Sequence, residues 1–450
     1  MSKSNPLYIC SECRSSSLKW QGQCASCNSW NTLEAASSVE LQRSGYAGDI
    51  KGKKLSEVPY VDANRFSTSI LELDRVLGGG LVSGSVVLIG GEPGIGKSTL
   101  LLQTAGGYSS DQSVLYVTGE ESLQQIAMRA KRLGIDPGSL SVLAETSVEQ
   151  LIQAVISEDI QCVIIDSIQT IYSESLASAP GSVGQLKESA AQLVRLAKTT
   201  DTTVLLVGHV TKEGNIAGPR ILEHMVDTVL YFESENNSRF RILRTIKNRF
   251  GAANELGIFA MTSEGMTEVK NPSAIFLSRH TDSVSGSVVT VAREGSRPLL
   301  IEVQALLDQS GAAGSRRLAV GLDHNRLSML LATLSRHAGI STHDCDVFIN
   351  VVGGVRISET SADLAAILSV VSSLLSQPIP NDTVVFGETG LAGEIRPVAY
   401  GEERLFEAAK RGFNRAIIPR GNLPKKPIAG LELIGVDYLK GALEALKLNN

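Results

Sequence analysis

The chain has 450 residues, 43% of them hydrophobic, which is enough apolar mass for more than one core and implies two or three domains. A formal net charge of −5 excludes a generally basic nucleic-acid binder, so any contact with DNA must be confined to one groove or channel. No run of about eighteen apolar residues exists, and the opening MSKSNPLYIC lacks the basic and apolar regions of a signal peptide; neither membrane spanning nor export is expected, and the compartment is the cytoplasm.

In chain order, the first feature is a pair of C-x2-C motifs, CSEC and CASC, separated by ten residues. Two such turns can present the thiolates of Cys10, Cys13, Cys24 and Cys27 to a tetrahedral Zn2+ ion. A segment this small cannot hold itself by core packing, so metal binding, on the order of 10 kcal/mol, would supply its folding energy. A pair of disulfides is the competing reading, and a cytoplasmic chain disfavours it. Trp20 and Trp30, near Arg14 and Lys19, either stack on bases or cap the tiny core. Residues 1–34 thus read as a four-cysteine knuckle, and the polar stretch 35–60, with Lys51, Lys53 and Lys54, as a linker.

Across residues 61–270 apolar strands alternate with helices: SVVLIGG, a helix from Lys97, SVLYVTGEE, a helix through Met128, LSVLAE, a helix from Val148, CVIIDS, a helix from Gln185, then TTVLLVGHV. Alternation of this kind implies a parallel sheet with crossover helices, an α/β fold. GGEPGIGKST joins the first strand to its helix and fits G-x4-G-K-[ST] in the strand-loop-helix context that makes the match specific. Gly91, Glu92, Pro93, Gly94, Ile95, Gly96, Lys97, Ser98 and Thr99 are therefore the expected ATP cradle. Backbone amides turn inward around the phosphates, Lys97 reaches the outer ones, Ser98 ligates Mg2+, and Thr99 packs beside it. Asp166, ending CVIID, is the carboxylate expected beside Mg2+. Glu120 and Glu121 end the neighbouring strand; Glu120 is the expected catalytic residue that polarises the attacking water, although either could instead cap the next helix. His209 closes a further strand, where it can sense the terminal phosphate.

Near the end of this region RFRILRTI alternates as a strand, so KNRFG should lie at its exposed tip, with the cations Lys247 and Arg249 around Asn248. No substrate pocket lies nearby in sequence, and the phosphates of ATP or of DNA would suit them equally. Residues 271–450 change character to the hairpin-like SGSVVTVAREGSRPLLIEVQALL, then helices among DVFINVV, TVVFGETG and GEIRPV, as in a separate α+β domain. Cys162 and Cys345 stand alone in apolar runs and read as core packing.

The order of P-loop, glutamate, Asp166 and a strand ending in a polar sensor resembles the RecA-type ATPase core. With the knuckle, KNRFG and the C-terminal segment, nearly the whole chain resembles the bacterial RadA (Sms) family of DNA repair proteins. That resemblance implies a DNA-dependent ATPase of homologous recombination, a hexameric homo-oligomer on single-stranded and branched DNA that drives branch migration beside a RecA-type recombinase. It also gives the KNRFG cations an anion: in ring ATPases they act on the neighbouring subunit's ATP, so Lys247 and Arg249 join Lys97 and Glu120 as catalytic residues. The loop YSESLASAPGSVGQ and the loop with Lys212 and Arg220 match the two DNA-facing loops in position. From about Ser273 the chain resembles the proteolytic domain of Lon, which needs a serine and a lysine. Ser361 falls near that serine, whereas alignment puts Glu402, or in the adjacent register Glu403, at the lysine. Ser361 then reads as the N-cap of ADLAAIL, and Lys410, Arg411, Arg415 and Arg420 as a modest basic surface. A Lon-type protease and a recombinase-loading adaptor are the competing functions.

Overall fold

A computed structural model of the protein describes residues 64–448 apart from 109–112, 210–218, 234–238, 278–281 and 312–313, together with residues 8–10, 16–17, 21–23, 29–30, 32–35, 54 and 56. Residues 1–60 and 61–450 form two compact units. In the first, strand Tyr8–Cys10 pairs antiparallel with Ser16–Ser17 and with Leu33–Ala35. Trp30 is 70% exposed, so it does not cap a core. The expected zinc ligands Cys13, Cys24 and Cys27, and the side chain of Cys10, lie outside the described residues.

The second unit opens with a short strand, Arg65–Phe66, and helix α1 (Leu71–Leu77), followed by the alternation expected from the sequence. Its elements are β1 (Val86–Gly91), α2 (Lys97–Gly106), β2 (Val114–Thr118), α3 (Leu123–Arg132), β3 (Ser141–Ala144), α4 (Val148–Ser157), β4 (Cys162–Asp166), α5 (Val183–Thr200) and β5 (Thr203–His209). Strand β6 (Thr228–Glu233) returns beside β1, and β7 (Phe240–Asn248), β8 (Leu256–Thr262) and β9 (Gly265–Glu268) continue the sheet as a meander. The sheet order is β9-β8-β7-β6-β1-β5-β4-β2-β3. The six strands from β6 to β3 are parallel, and the meander is antiparallel. Continuous apolar runs build the parallel strands because helices cover both faces. The two clusters under those helices include Val87, Ile89 and Leu101 on one side and Leu88, Ile165 and Leu193 on the other.

The carboxyl-terminal part contains a second sheet. The expected hairpin is present as β10 (Ser287–Glu294) and β11 (Arg297–Gln309), followed by β12 (Arg317–Val320), α6 (His324–Ala338), β13 (Cys345–Val351), α7 (Asp363–Leu374), β14 (Thr383–Val385), α8 (Gly401–Lys410), β15 (Arg415–Pro419), β16 (Glu432–Val436) and α9 (Leu439–Ala445). Strand order is β12-β13-β11-β10-β14-β15-β16. Helix α7 is buried over most of its length, as ADLAAIL predicts. Cys162 is fully inside, but Cys345 opens β13 and is only half-buried, which corrects its reading as core.

Buried charges tie the two sheets together. Arg297 on β11 donates to both carboxylate oxygens of Glu72 on α1 at 3.0 Å, and Arg244 on β7 donates to Glu294 at 2.9 Å. Ser296 in the hairpin turn donates its amide and hydroxyl to Glu255. Leu256 and Ile258 of β8 belong to the same apolar cluster as α6 and α7.

Candidate active site

At the end of β1 the chain must reverse into α2 within a few residues, and glycines permit the backbone conformations this needs. Gly94 and Gly96 have φ of 75° and 116°, in the left-handed region. A Cβ on Gly96 would stand 2.1 Å from Met266 Cε, so a larger residue would have to displace that methionine's tip and would be strained at this φ. Helix α2 begins at Lys97 with no side-chain cap, leaving its first amides and the positive end of its dipole facing the loop. Lys97 is 3% exposed, and its Nζ donates to the carbonyls of Gly91 and Glu92, both at 2.9 Å. Burial pushes its amine down to about 8, against the opposing pull of Asp166 and Glu120. An uncapped helix start and a buried amine held by neutral carbonyls form a cradle that fits a polyphosphate.

Asp166 ends β4 beside this loop, and the Asp166–Ser167 peptide is cis. The Tyr116 hydroxyl donates to Asp166 Oδ2 at 2.6 Å inside the protein. Burial, reinforced by Asp166, raises the Tyr116 phenol well above its ordinary value, so it remains a donor. Ser98 on α2 and Asp166 are the oxygen donors that would hold Mg2+, a hard cation suited to such ligands.

Glu120 accepts from the Ser167 hydroxyl at 2.5 Å and faces His209 Nε2 at 3.3 Å. Glu121 turns the other way, its carboxylate paired with Arg129 and its amide held by Thr118. His209 closes β5 in register with Gly91, and its Nδ1 is buried with no partner among the described residues. The cradle, Asp166, Glu120 and His209 therefore gather at the carboxyl edge of the parallel strands, where ligands of open α/β sheets bind.

KNRFG lies elsewhere. Thr228 of β6 is in register with both Asn248 and Val87, and β7 runs against them, so the tip of β7 reaches the opposite edge of the sheet from the chain's own P-loop. Lys247 Nζ donates to the carbonyls of Glu223 and Val226 at 2.7 and 2.8 Å. Burial and then the neighbouring Arg249 charge lower its amine below the ordinary lysine value. Asn248 donates to Leu77 O and accepts from Thr228 and the Phe250 amide, which shapes the turn. Arg249, 56% exposed, contacts Asp227 Oδ1 at 3.2 Å. Sequence reasoning placed KNRFG at a strand tip but missed Asp227, Tyr116 and Ser167, which carry no motif of their own.

The stretch 172–185 is pinned at its base: the Gln185 amide donates to the carbonyls of Ser173, Leu176 and Ser178. It carries no Lys or Arg. Arg220 lies in the turn Pro219–Leu222, and Lys212 lies outside the described residues. Of the modest basic group, Arg411, Arg415 and Arg420 are paired with Glu407, Glu432 and Asp437.

The protease-like corner departs from expectation. Ser361 does not cap α7: that position is Ala362, with no side-chain cap, and Ser361 sits in the short turn Thr360–Ala362. Its hydroxyl instead donates to Glu359 at 2.6 Å. Glu402 and Glu403 lie on the solvent side of α8, and the side chain that reaches Ser361 from that helix is Arg404, 1% exposed. Arg404 forms a two-pronged pair with Glu359 at 2.8 and 2.6 Å, and its Nη1 lies 3.3 Å from Ser361 Oγ. A guanidinium stays protonated and cannot serve as the base that a serine nucleophile needs.

A family model described as an AAA domain matches residues 53–215, one described as a rubredoxin metal binding domain matches 8–35, and one described as subunit ChlI of Mg-chelatase matches 316–422. Fold and site together define a P-loop ATPase with a RecA-type core, an N-terminal metal-binding ribbon and a Lon-protease-like C-terminal domain. Over 452 residues the chain is 58% identical to the DNA repair protein RadA of Pseudomonas aeruginosa, covering 99% of this chain and 100% of that one. Identity is 54% to RadA of Escherichia coli, covering 97% of each chain, and 48% to RadA of Bacillus subtilis, covering 98% of this chain and 99% of that one. The chain belongs to the RadA family of DNA repair proteins.

Proposed function

We propose that this protein is a DNA-dependent ATPase of homologous recombination that works as a closed homo-oligomeric ring, a hexamer, moving branch points along single-stranded DNA in the cytoplasm with a RecA-type recombinase as partner. One observation carries the reading. The exposed Arg249 lies at the edge of the sheet opposite its own P-loop, level with Val86, the first residue of β1. From Val86 to Gly91 is five residues, roughly 16 Å along the strand at about 3.3 Å per residue. Across that span and two strand spacings, Arg249 cannot reach its own nucleotide, but a subunit stacked head to tail can present it to the neighbour's.

In this reading the α2 amides and Lys97 bind the ATP phosphates, and nucleotide draws the Lys97 amine away from the Gly91 and Glu92 carbonyls. Ser98 and Asp166 would hold Mg2+, which supplies neutralisation of phosphate charge when bound. Glu120, oriented by Ser167, accepts hydrogen bonds from the attacking water and aligns it. Arg249 of the adjacent subunit meets the negative charge that develops on the transferred phosphoryl group. Lys247 shapes the tip through its two carbonyl contacts. Zn2+ on the four cysteines would hold the N-terminal ribbon together.

The test is complementation in mixed rings. Arg249→Ala should bind ATP normally but hydrolyse it on the order of a thousandfold more slowly, and Lys97→Ala should be inactive. Mixed in one ring, the first supplies an intact P-loop and the second an intact arginine, so part of the hydrolysis returns. No recovery despite demonstrated co-assembly would refute action between subunits. Displacement of a strand from a three-strand intermediate, seen with ATP and absent with a non-hydrolysable analogue, separates a motor from a loading adaptor.

A further inference from the structure

KNRFG is gripped by a second segment of the chain. Three successive residues of the chain, Val226, Asp227 and Thr228, grip Lys247, Arg249 and Asn248 respectively: a carbonyl to the lysine, a carboxylate to the arginine, a hydroxyl to the asparagine. Asp227 is the charged member of the set and is 4% exposed. Its Oδ1 contacts Arg249 Nη1 at 3.2 Å, and its carbonyl accepts the Arg249 amide at 3.2 Å. Its Oδ2 accepts from Lys198 Nζ at 2.8 Å and from the Val86 amide at 3.1 Å. Lys198 is itself anchored on Gly84 O at 2.9 Å. The carboxylate is thus fixed from behind by a strand amide and a lysine, and its free face is turned to a guanidinium that is more than half exposed.

We propose that Asp227 is the positioning residue for Arg249: it preorganises the guanidinium at the subunit boundary and yields it to the neighbour's ATP. This rests on the reading of Arg249 as a trans-acting residue. Two physical points favour it over a purely structural role. A flexible exposed arginine loses side-chain entropy on reaching a phosphate, and a fixed counter-charge removes part of that loss beforehand. Only the arginine side of the pair faces solvent, so the guanidinium stays partly hydrated and a polyanion can reach it and draw it from the carboxylate. Asp227 keeps Lys198 as its partner when Arg249 leaves, so no buried charge is stranded.

Asp227→Asn is the test, since asparagine keeps the shape and can still accept from the Val86 amide. The variant should bind a fluorescent ATP analogue with wild-type affinity, because the P-loop is at the other edge of the sheet, while hydrolysis falls at least tenfold. Mixing Asp227→Asn with Lys97→Ala chains should restore hydrolysis to the level that Arg249→Ala with Lys97→Ala reaches, since only the arginine of the first chain is impaired. A general folding defect would not be repaired by a partner lacking its own P-loop lysine. Should Asp227→Asn fail to fold, Asp227→Glu, which keeps the charge, carries the same measurement with a smaller loss and the same recovery. Wild-type hydrolysis by the folded variant overturns the proposal. So does silence in mixed rings where the Arg249→Ala pair recovers, which removes the role of Asp227 but leaves the arginine's. If the Arg249→Ala pair also stays silent, the trans reading itself fails and takes this proposal with it.

Discussion

Replacing Glu359 by glutamine should destabilise the C-terminal domain far more than removing the serine beside it. Arg404 is buried, and its two contacts to Glu359, at 2.8 and 2.6 Å, are the only ones it makes to an opposite charge among the described residues. Its other acceptors are the neutral carbonyls of Ala399 and Val291 and the Ser361 hydroxyl. Glu359→Gln therefore strands a guanidinium in the core, a loss of about 3–5 kcal/mol. In a domain of this size that corresponds to a fall in melting temperature of roughly 10 °C. Ser361→Ala leaves the ion pair intact and removes two hydrogen bonds, the one to Glu359 and the longer one from Arg404, about 2 kcal/mol together. Burial alone would raise the Glu359 carboxyl, but the Arg404 hydrogen bonds and charge outweigh it and hold the group below its ordinary value of 4.5. A lowered folded-state value means the stabilisation is present above about 4.5 and fades as pH falls through the depressed value. The acid side of the wild-type stability curve should accordingly flatten in Glu359→Gln. Thermal melting followed by circular dichroism between pH 3 and 7 measures both effects. A Glu359→Gln protein melting within about 2 °C of wild type, or one more stable than Ser361→Ala, would mean that Arg404 does not depend on the Glu359 charge. Ser361→Ala should also hydrolyse ATP like wild type, and neither protein should digest casein.

Because burial lowers the ligand-free Lys97 amine to about 8, ATP binding should draw a proton onto it at pH 8.5 but not at pH 6.5. Calorimetric titration in two buffers of different ionisation heat reads that uptake directly, and equal apparent enthalpies at pH 8.5 would contradict it. Cys13→Ser should abolish binding of one Zn2+ per chain, measured by metal analysis, while the nucleotide site still binds ATP; a reduced wild-type protein without zinc would overturn the four-cysteine assignment.

The strands, the helices and the cradle were legible because each is local: apolar runs of strand length, glycines at the turn, a lysine at the helix start. What the sequence hid depends on register between distant elements. Tyr116 meets Asp166 only because β2 and β4 pair so that Thr118 stands opposite Asp166, which puts Tyr116 and Asp166 on one face. Arg404 replaces the expected Glu402 or Glu403 because one face of α8 turns inward, and alignment without a gap cannot resolve a rotation of about 100° per residue. Ser361 looked like a helix cap by type, but a half-buried carboxylate two residues earlier competes for its hydroxyl and wins with a charge-assisted bond. The basic group near the C-terminus is visible in composition, whereas its neutralising partners come from β16, α8 and the segment before α9.

If Arg249 acts on the neighbouring subunit's ATP as proposed, the separation of P-loop and arginine across one sheet turns catalysis into a count of junctions. An open row of n subunits holds n − 1 complete sites, and closing the circle adds the last one. Activity per chain therefore climbs with assembly and gains a final increment at closure, so that a gap in the circle, opened to admit a DNA strand, silences one site for as long as it stays open. Dilution should lower turnover per chain before it lowers nucleotide occupancy.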